Sequence, residues 1–440
     1  MAPTGSAFCL TSTPVFFFSS KVTRISRNYM NANPHISKIC VIDCSSGTKL
    51  VTESTASSTS ERTSFGFKNL TETFWVNVQR AEGRPLNVQL NSPLSTVSPS
   101  LEKVENVAIR IELSNGCVGW GEVPVLPSIT AANQTVAVTK AREAWQFLRS
   151  SSPMVLNLML NEIGGILPGT GFASVRAGVE MALIDAVANS IGVPLWRLFG
   201  GVSNTLTTAI TLSNVFPAEA SELASKYCQL GFKTLKLKIG KNIKAEIEIL
   251  QSIQAAHPNC SLILDANEEY TYREALEVLQ KLHDSGITPT LLEQPVHRDD
   301  WKGLGEFCNF ARGKYGISVA VDESCQSSID VQTVIKGNFA DVINIKLAKF
   351  GVMGTLEIIE LARNSGLNLM ISSTVETRLA TGFAAHLAAG LGFFKFVGLD
   401  MPFLLSEDPV ICGYEACGPV YKFLNARGQG GFLKWDFTPW

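Results

Sequence analysis

From residue 207 onward, short apolar runs return at a nearly constant interval, and that period leaves the chain few ways to fold. The runs are TTAITL (207–212), LKLKI (235–239), LILDAN (262–267), LLEQP (291–295), VAVDES (319–324), VINIKL (342–347), LMISS (369–373) and FKFVGLD (394–400). Consecutive runs begin 23–29 residues apart. Amphipathic segments lie between them, among them KAEIEILQSIQAAH, YREALEVLQKLHDSG and GTLEIIELARNSG, several closed by glycine as helices often are. Eight strands alternating with helices predict a (β/α)₈ barrel over residues 201–400, an α/β fold. A doubly wound open sheet would bring a GxGxxG turn after a strand, and none occurs.

The flanking segments read differently. Residues 65–200 begin strand-like (ETFWVNVQ, ENVAIRIEL, CVGWGEV, with SNG as a hairpin turn) and continue in helical patterns such as TKAREAWQFLRS and SVRAGVEMALIDAVANSIG. An antiparallel sheet followed by helices makes this an α+β unit. Residues 401–440, rich in glycine and aromatics, are not a further β/α unit and are expected to fold back on the first domain. Residues 1–64 form a leader. Its first 60 residues hold 20 Ser or Thr, five Lys or Arg and two acids, Asp43 and Glu53, the composition of an organellar transit peptide. The abundant hydroxyls and sparse arginine favour the plastid stroma over the mitochondrion. Without those 60 residues the chain has 32 basic and 37 acidic residues, net −5, against −2 for all 440.

That balance gives no electrostatic basis for a nucleic-acid or anionic-membrane partner. No apolar run approaches the roughly 18–20 residues of a membrane span. The ten cysteines include no CxxC pair, and three of them (Cys9, Cys40, Cys44) lie in the leader, so a reduced compartment fits better than a disulfide framework.

Catalysis in a barrel of this kind sits at the C-terminal ends of the strands. Those ends carry Lys236 and Lys238 on strand 2, Asp265 and Asn267 on strand 3, Glu293 on strand 4, Asp322 and Glu323 on strand 5, and Lys346 on strand 6. A single acid there is as readily a helix N-cap. Acids on three successive strands with lysines on either side call for another reason. Asp265, Glu293 and Asp322 converge as oxygen ligands with coordination positions to spare, which suits one Mg²⁺. Lys236 and Lys238 share the barrel-facing side of their strand. Strand 6 lies across the ring, so Lys238 and Lys346 would face a bound planar carbon from opposite sides, an arrangement for moving a proton between faces. Burial, the like charge of Lys236 and a nearby metal would lower the pKa of Lys238 toward a usable range.

From about residue 65 onward the chain resembles the enolase superfamily, muconate-lactonizing subgroup, and within it the dipeptide epimerases of the L-Ala-D/L-Glu type. The matching segments are TLKLKIG, LDANEEY, EQPVHRDD, VDESC, VINIKLAKFG, ISSTVET and GLDMP, which cover barrel strands 2 to 8 in order. The resemblance implies an isomerase working through an enediolate, with Lys238 and Lys346 as acid/base pair and Asp265, Glu293 and Asp322 as metal ligands. It further implies that Lys236 polarises the substrate carboxylate, and that Thr211, Ser372, Ser373, Thr374 and Asp400 line a dipeptide site. Residues 65–200 become a capping domain whose loops near 86–103 and 123–130 cover the substrate. Two positions depart from the pattern. Gly398 replaces the first acid of the D-x-D pair on the last strand, leaving Asp400 to hold the dipeptide's amino group. The first capping loop, PLNVQLNSPLSTVSPSLEK, has no arginine to pair an acidic side chain. The expected substrate is therefore a dipeptide with an uncharged, apolar C-terminal side chain, covered by Leu86, Val88, Leu90, Val97 and Val104. A dehydratase or cycloisomerase of the o-succinylbenzoate synthase type is the alternative. A homo-oligomer is compatible with the sequence.

Overall fold

The structure, a computed structural model, describes residues 66–94, 100–127, 129–130, 133–212 and 215–435. The leader and Val97 lie outside these residues. Three antiparallel strands, Val78–Leu94, Leu101–Leu113 and Val118–Val123, open the described chain. The SNG turn joins the last two, with Gly116 at φ +79° and its N–H donating to the Leu113 carbonyl at 2.8 Å. Helices Gln134–Ser150, Leu156–Ile166 and Ala173–Ile191 follow. The last of these lies directly on strand 118–123. A Cβ at Gly121 would come 2.0 Å from the Gly178 carbonyl oxygen, so small residues set the spacing of helix and sheet.

The predicted first capping loop is a correction. Its residues continue the hairpin as far as Leu94 and Leu101. Leu86, Val88 and Leu90 alternate with polar residues at the period of a strand, and they are buried with Val104, Trp120, Leu126, Val375, Leu379, Met401 and Leu405. They join the hairpin to the barrel domain and are not a free apolar lid.

The eight apolar runs form one parallel sheet in sequence order: Ile210–Leu212, Thr234–Lys238, Ser261–Asp265, Leu291–Glu293, Ser318–Val321, Val342–Ile345, Asn368–Ser372 and Phe394–Gly398. They are called the first to eighth barrel strands below. The Ala209 N–H donates to the Val397 carbonyl at 2.8 Å, which nearly closes the ring. Ile263, Leu291, Ala320, Val342 and Met370, with Phe396 against them, fill the interior as one apolar layer. Among the described residues no helix is long and apolar enough to cross a membrane, and the seven described cysteines are unbridged.

Three fully buried carboxylates from residues 118–191 reach across to later parts of the chain. Glu122 accepts from the Thr377 N–H (2.9 Å) and hydroxyl (2.7 Å) and from the Ala380 N–H (3.1 Å), capping helix Arg378–Leu391. Glu180 accepts from the Val352 N–H at 2.5 Å, where Gly351 at φ +76° breaks helix Leu347–Asn364. Asp185 accepts from the Gln429 N–H at 2.7 Å and from the Trp120 N–H at 2.9 Å. The C-terminal segment meets the first sheet again where the Trp435 indole donates to Glu82 at 2.9 Å. Replacing Glu122 with Ala strands several buried donors. It should lower unfolding stability by about 1–3 kcal/mol in chemical denaturation, while Glu357→Ala on an exposed helix face stays within about 0.5 kcal/mol.

Candidate active site

The register of the barrel brings the site residues level with one another. Lys238 pairs with Asp265, and Asp265 with Glu293, across three adjacent strand ends. Lys236 is buried, and its Nζ lies 2.9 Å from Asp265 Oδ2 and 2.7 Å from Glu293 Oε2. Burial alone would pull this amine down. The two carboxylates outweigh that and hold it well above the ordinary lysine range. Glu293 is fully buried. Burial and the Asp265 charge push it up to about 7 against the opposing pull of Lys236. Its Oε1 accepts from Asn344 at 2.8 Å, and Asn344 accepts in turn from the Ser372 hydroxyl at 2.8 Å.

Asp322 lies between two further lysines. Lys346 donates to its Oδ2, and Lys349 reaches its Oδ1 at 2.8 Å. Burial works against the charge on Asp322, but the two ammonium groups prevail and hold its carboxyl well below the usual range. Lys346 is correspondingly held high by Asp322, Glu323 and Glu293 despite its burial. Lys238 behaves in the opposite sense. Burial lowers it, Asp265 opposes, and Lys236 and Lys346 lower it further. Its Nζ donates to Asn267 Oδ1 at 2.6 Å, and Asn267 donates to Glu323 Oε1 at 3.0 Å.

Backbone strain marks the same rim. Asn267, Glu268 and Gln294 have φ of +41°, +69° and +36°, the left-handed region that non-glycine residues adopt infrequently. Gln294 holds the turn after the fourth strand, with its side-chain oxygen accepting from the Asp322 N–H at 3.0 Å.

The donor set suits a hard cation. Asp265, Glu293 and Asp322 supply carboxylate oxygens from neighbouring strands, and burial drives Glu293 toward protonation unless positive charge is near. Glu323 Oε2 is buried with no partner. Among the described residues no three such side chains are already gathered around one point. Each carboxylate leans instead on a lysine, which relieves the repulsion the three would otherwise share.

The predicted dipeptide-lining residues lie on the first, seventh and eighth strands and the turns that follow them. Asp400 is buried, and its Oδ2 accepts from the Thr211 N–H at 2.6 Å. Burial raises the Asp400 carboxyl, and the bonds from Thr211 oppose it. Thr374 donates its hydroxyl to Glu376 at 2.9 Å, and the Ser373 N–H donates to the Gly398 carbonyl at 3.1 Å.

Two family models match the chain: "Mandelate racemase / muconate lactonizing enzyme, N-terminal domain" over residues 81–200, and "Enolase C-terminal domain-like" over residues 219–413. An L-Ala-D/L-amino acid epimerase of Populus trichocarpa is 65% identical over 372 residues, which are 84% of this chain and 88% of that protein. The chain belongs to the mandelate racemase/muconate lactonizing enzyme family of the enolase superfamily. Solved structures agree. A substrate-liganded complex of the L-Ala-D/L-Glu epimerase from Bacillus subtilis superposes with a TM-score of 0.76 at 32% identity, covering 81% of this chain and 99% of that one. A dipeptide epimerase from Enterococcus faecalis, complexed with Mg and L-Leu-L-Tyr, gives 0.73 at 28% identity over 81% and 99%.

For a member of this family, sequence reasoning missed Asn344, Lys349 and Glu376. Asn344 sits mid-strand in VINIKL, and a buried polar residue in an apolar strand was the available signal. Lys349 lies in a helical stretch where a lysine ordinarily faces solvent. Glu376 is buried and pushed up to about 7, by burial first and then by Glu122. The opposed shifts of the two opposing lysines are measurable. With lysines ¹³C-methylated, the NMR signal absent from Lys238→Arg should titrate below the exposed lysines, and the signal absent from Lys346→Arg above them.

Proposed function

We propose that this protein is a Mg²⁺-dependent dipeptide epimerase that moves the α-proton of the substrate's C-terminal residue between the two faces of its carbon. One observation carries the reading: Lys238, with a lowered pKa, and Lys346, with a raised one, project from opposite strands of the ring over a row of buried carboxylates. An amine that is readily neutral can take a proton, and one that stays charged can give it back. Lys236 places a fixed positive charge at the strand ends, suited to holding the substrate carboxylate next to the reacting carbon. When bound by Asp265, Glu293 and Asp322, Mg²⁺ supplies positive charge that stabilises the negative charge developing on that carboxylate.

Asp400 is the carboxylate left for the dipeptide's amino terminus, because Gly398 brings no side chain. A Cβ at residue 398 would sit in ordinary contact with Ser372 and Met370 carbons, at 3.5 and 3.6 Å, so glycine there is not forced by packing. The acid-poor leader supports import into the plastid.

Chiral analysis of L-Ala-L-Xaa in D₂O tests the two-lysine reading. Lys238→Ala should abolish exchange from one epimer and Lys346→Ala from the other, and each should reduce net epimerisation by on the order of 10²–10⁴-fold. A single variant retaining near wild-type epimerisation would refute the geometry. EDTA should abolish activity and Mg²⁺ restore it. Asp400→Asn should lower kcat/KM by about tenfold or more, the equivalent of roughly 1.4 kcal/mol from a lost charge-assisted bond.

A further inference from the structure

The two lysines that face each other across the ring are held by partners of different charge. Lys346 donates to the Asp322 carboxylate, and that charge outweighs burial in holding the amine high. Lys238 donates to a neutral oxygen, Oδ1 of Asn267, at 2.6 Å. Among the described residues Asn267 is the one hydrogen-bond acceptor of this amine. A neutral acceptor fixes the direction of an amine without adding the negative charge that would keep it protonated. Lys238 is half-buried and Asn267 is exposed at the rim. A flexible four-carbon stem ending there would otherwise turn its amine freely toward water.

The amide is itself held. Its Nδ2 donates to Glu323 Oε1 at 3.0 Å, which leaves the amide oxygen as the end that meets the lysine. The Asn267 N–H donates to Asp265 Oδ1 at 3.1 Å. The turn beyond is tied to the segment after the fourth strand. There the Glu268 N–H donates to the Gln294 carbonyl at 3.0 Å, and the Glu268 carboxylate accepts from the Arg298 N–H at 2.7 Å and Nε at 2.8 Å. A φ of +41° suits glycine best, and asparagine tolerates it. What asparagine adds over glycine at residue 267 is the amide. We infer that Asn267 is the positioning residue for Lys238: it aims the amine at the reacting carbon through an uncharged bond, with Glu323 fixing which end of the amide faces the lysine. The inference rests on the epimerase reading and assigns a role within that same site.

The test is the α-proton exchange of L-Ala-L-Leu and L-Ala-D-Leu in D₂O, each followed separately with the full chain and Mg²⁺. Lys238→Ala first identifies the epimer whose exchange needs Lys238. Asn267→Gly removes the amide, keeps the backbone N–H to Asp265 and suits the left-handed backbone. It should lower kcat for exchange from that epimer by about tenfold or more, with KM held within about twofold. Exchange from the other epimer, which depends on Lys346, should stay within about twofold of the wild type. The ratio of the two rates is read within one protein, so a loss of folded enzyme does not imitate the effect. Glu268→Gly alters the neighbouring residue of the same turn without touching the amine, and should leave the ratio unchanged. Equal loss from both epimers, no loss from either, or the same shift in Glu268→Gly would overturn the assignment while wild-type exchange leaves the epimerase reading standing. No exchange from either dipeptide in the wild type would remove both.

Discussion

The site is organised by buried charge that is never left alone. Lys236 lies between Asp265 and Glu293, and Asp322 lies between Lys346 and Lys349. An isolated buried carboxylate or ammonium would shift its pKa and neutralise, so these groups remain ionised only as a set. The set spans the second to sixth strands directly, and Asn344 extends it to Ser372 on the seventh. Slipping any one strand by a residue would turn its charged side chain toward the apolar layer of helices and leave a partner unpaired. Catalytic geometry and barrel register therefore support each other.

The first domain is held to this barrel by a similar device used for a different purpose. Glu122 and Glu180 are fully buried, and each accepts backbone N–H groups at the start of a helix in the barrel domain, while Asp185 does the same for Gln429 in the C-terminal segment. A carboxylate at a helix N-terminus meets both unpaired donors and the favourable end of the helix dipole. Around Glu122 the hairpin residues Leu86, Val88 and Leu90 pack against Val375, Leu379 and Met401. The Thr374–Glu376 turn at the rim is thus fixed between the two domains, next to residues proposed to touch substrate.

Much of this was legible in the chain itself, because strand periodicity is local. The eight apolar runs, and the alternation that puts Lys236 and Lys238 on one face, needed no tertiary information. The allocation of partners did not follow. Nothing in LKLKI says that Lys236 serves two carboxylates while Lys238 serves Asn267, because that depends on how strands twist and stagger around the ring. The pattern of residues 173–191 reads as a helix, but nothing in it says that the helix is buried through almost its whole length, with Glu180 and Asp185 bonded to later parts of the chain. Residues 86–94 read as loop from sequence although their alternation is that of a strand, since the polar residues between them and the prolines nearby mask the pattern.

Asp265, Glu293 and Asp322 are proposed to hold one cation between them, with Lys236 beside the first two and Lys346 beside the third. Crystals grown with Mn²⁺ and measured at the manganese absorption edge test this most directly. A single anomalous peak should lie within bonding distance of an oxygen from each of the three carboxylates, with Lys236 displaced from at least one of them. A peak bound elsewhere, or no peak while Lys236 keeps both of its contacts, would contradict the account.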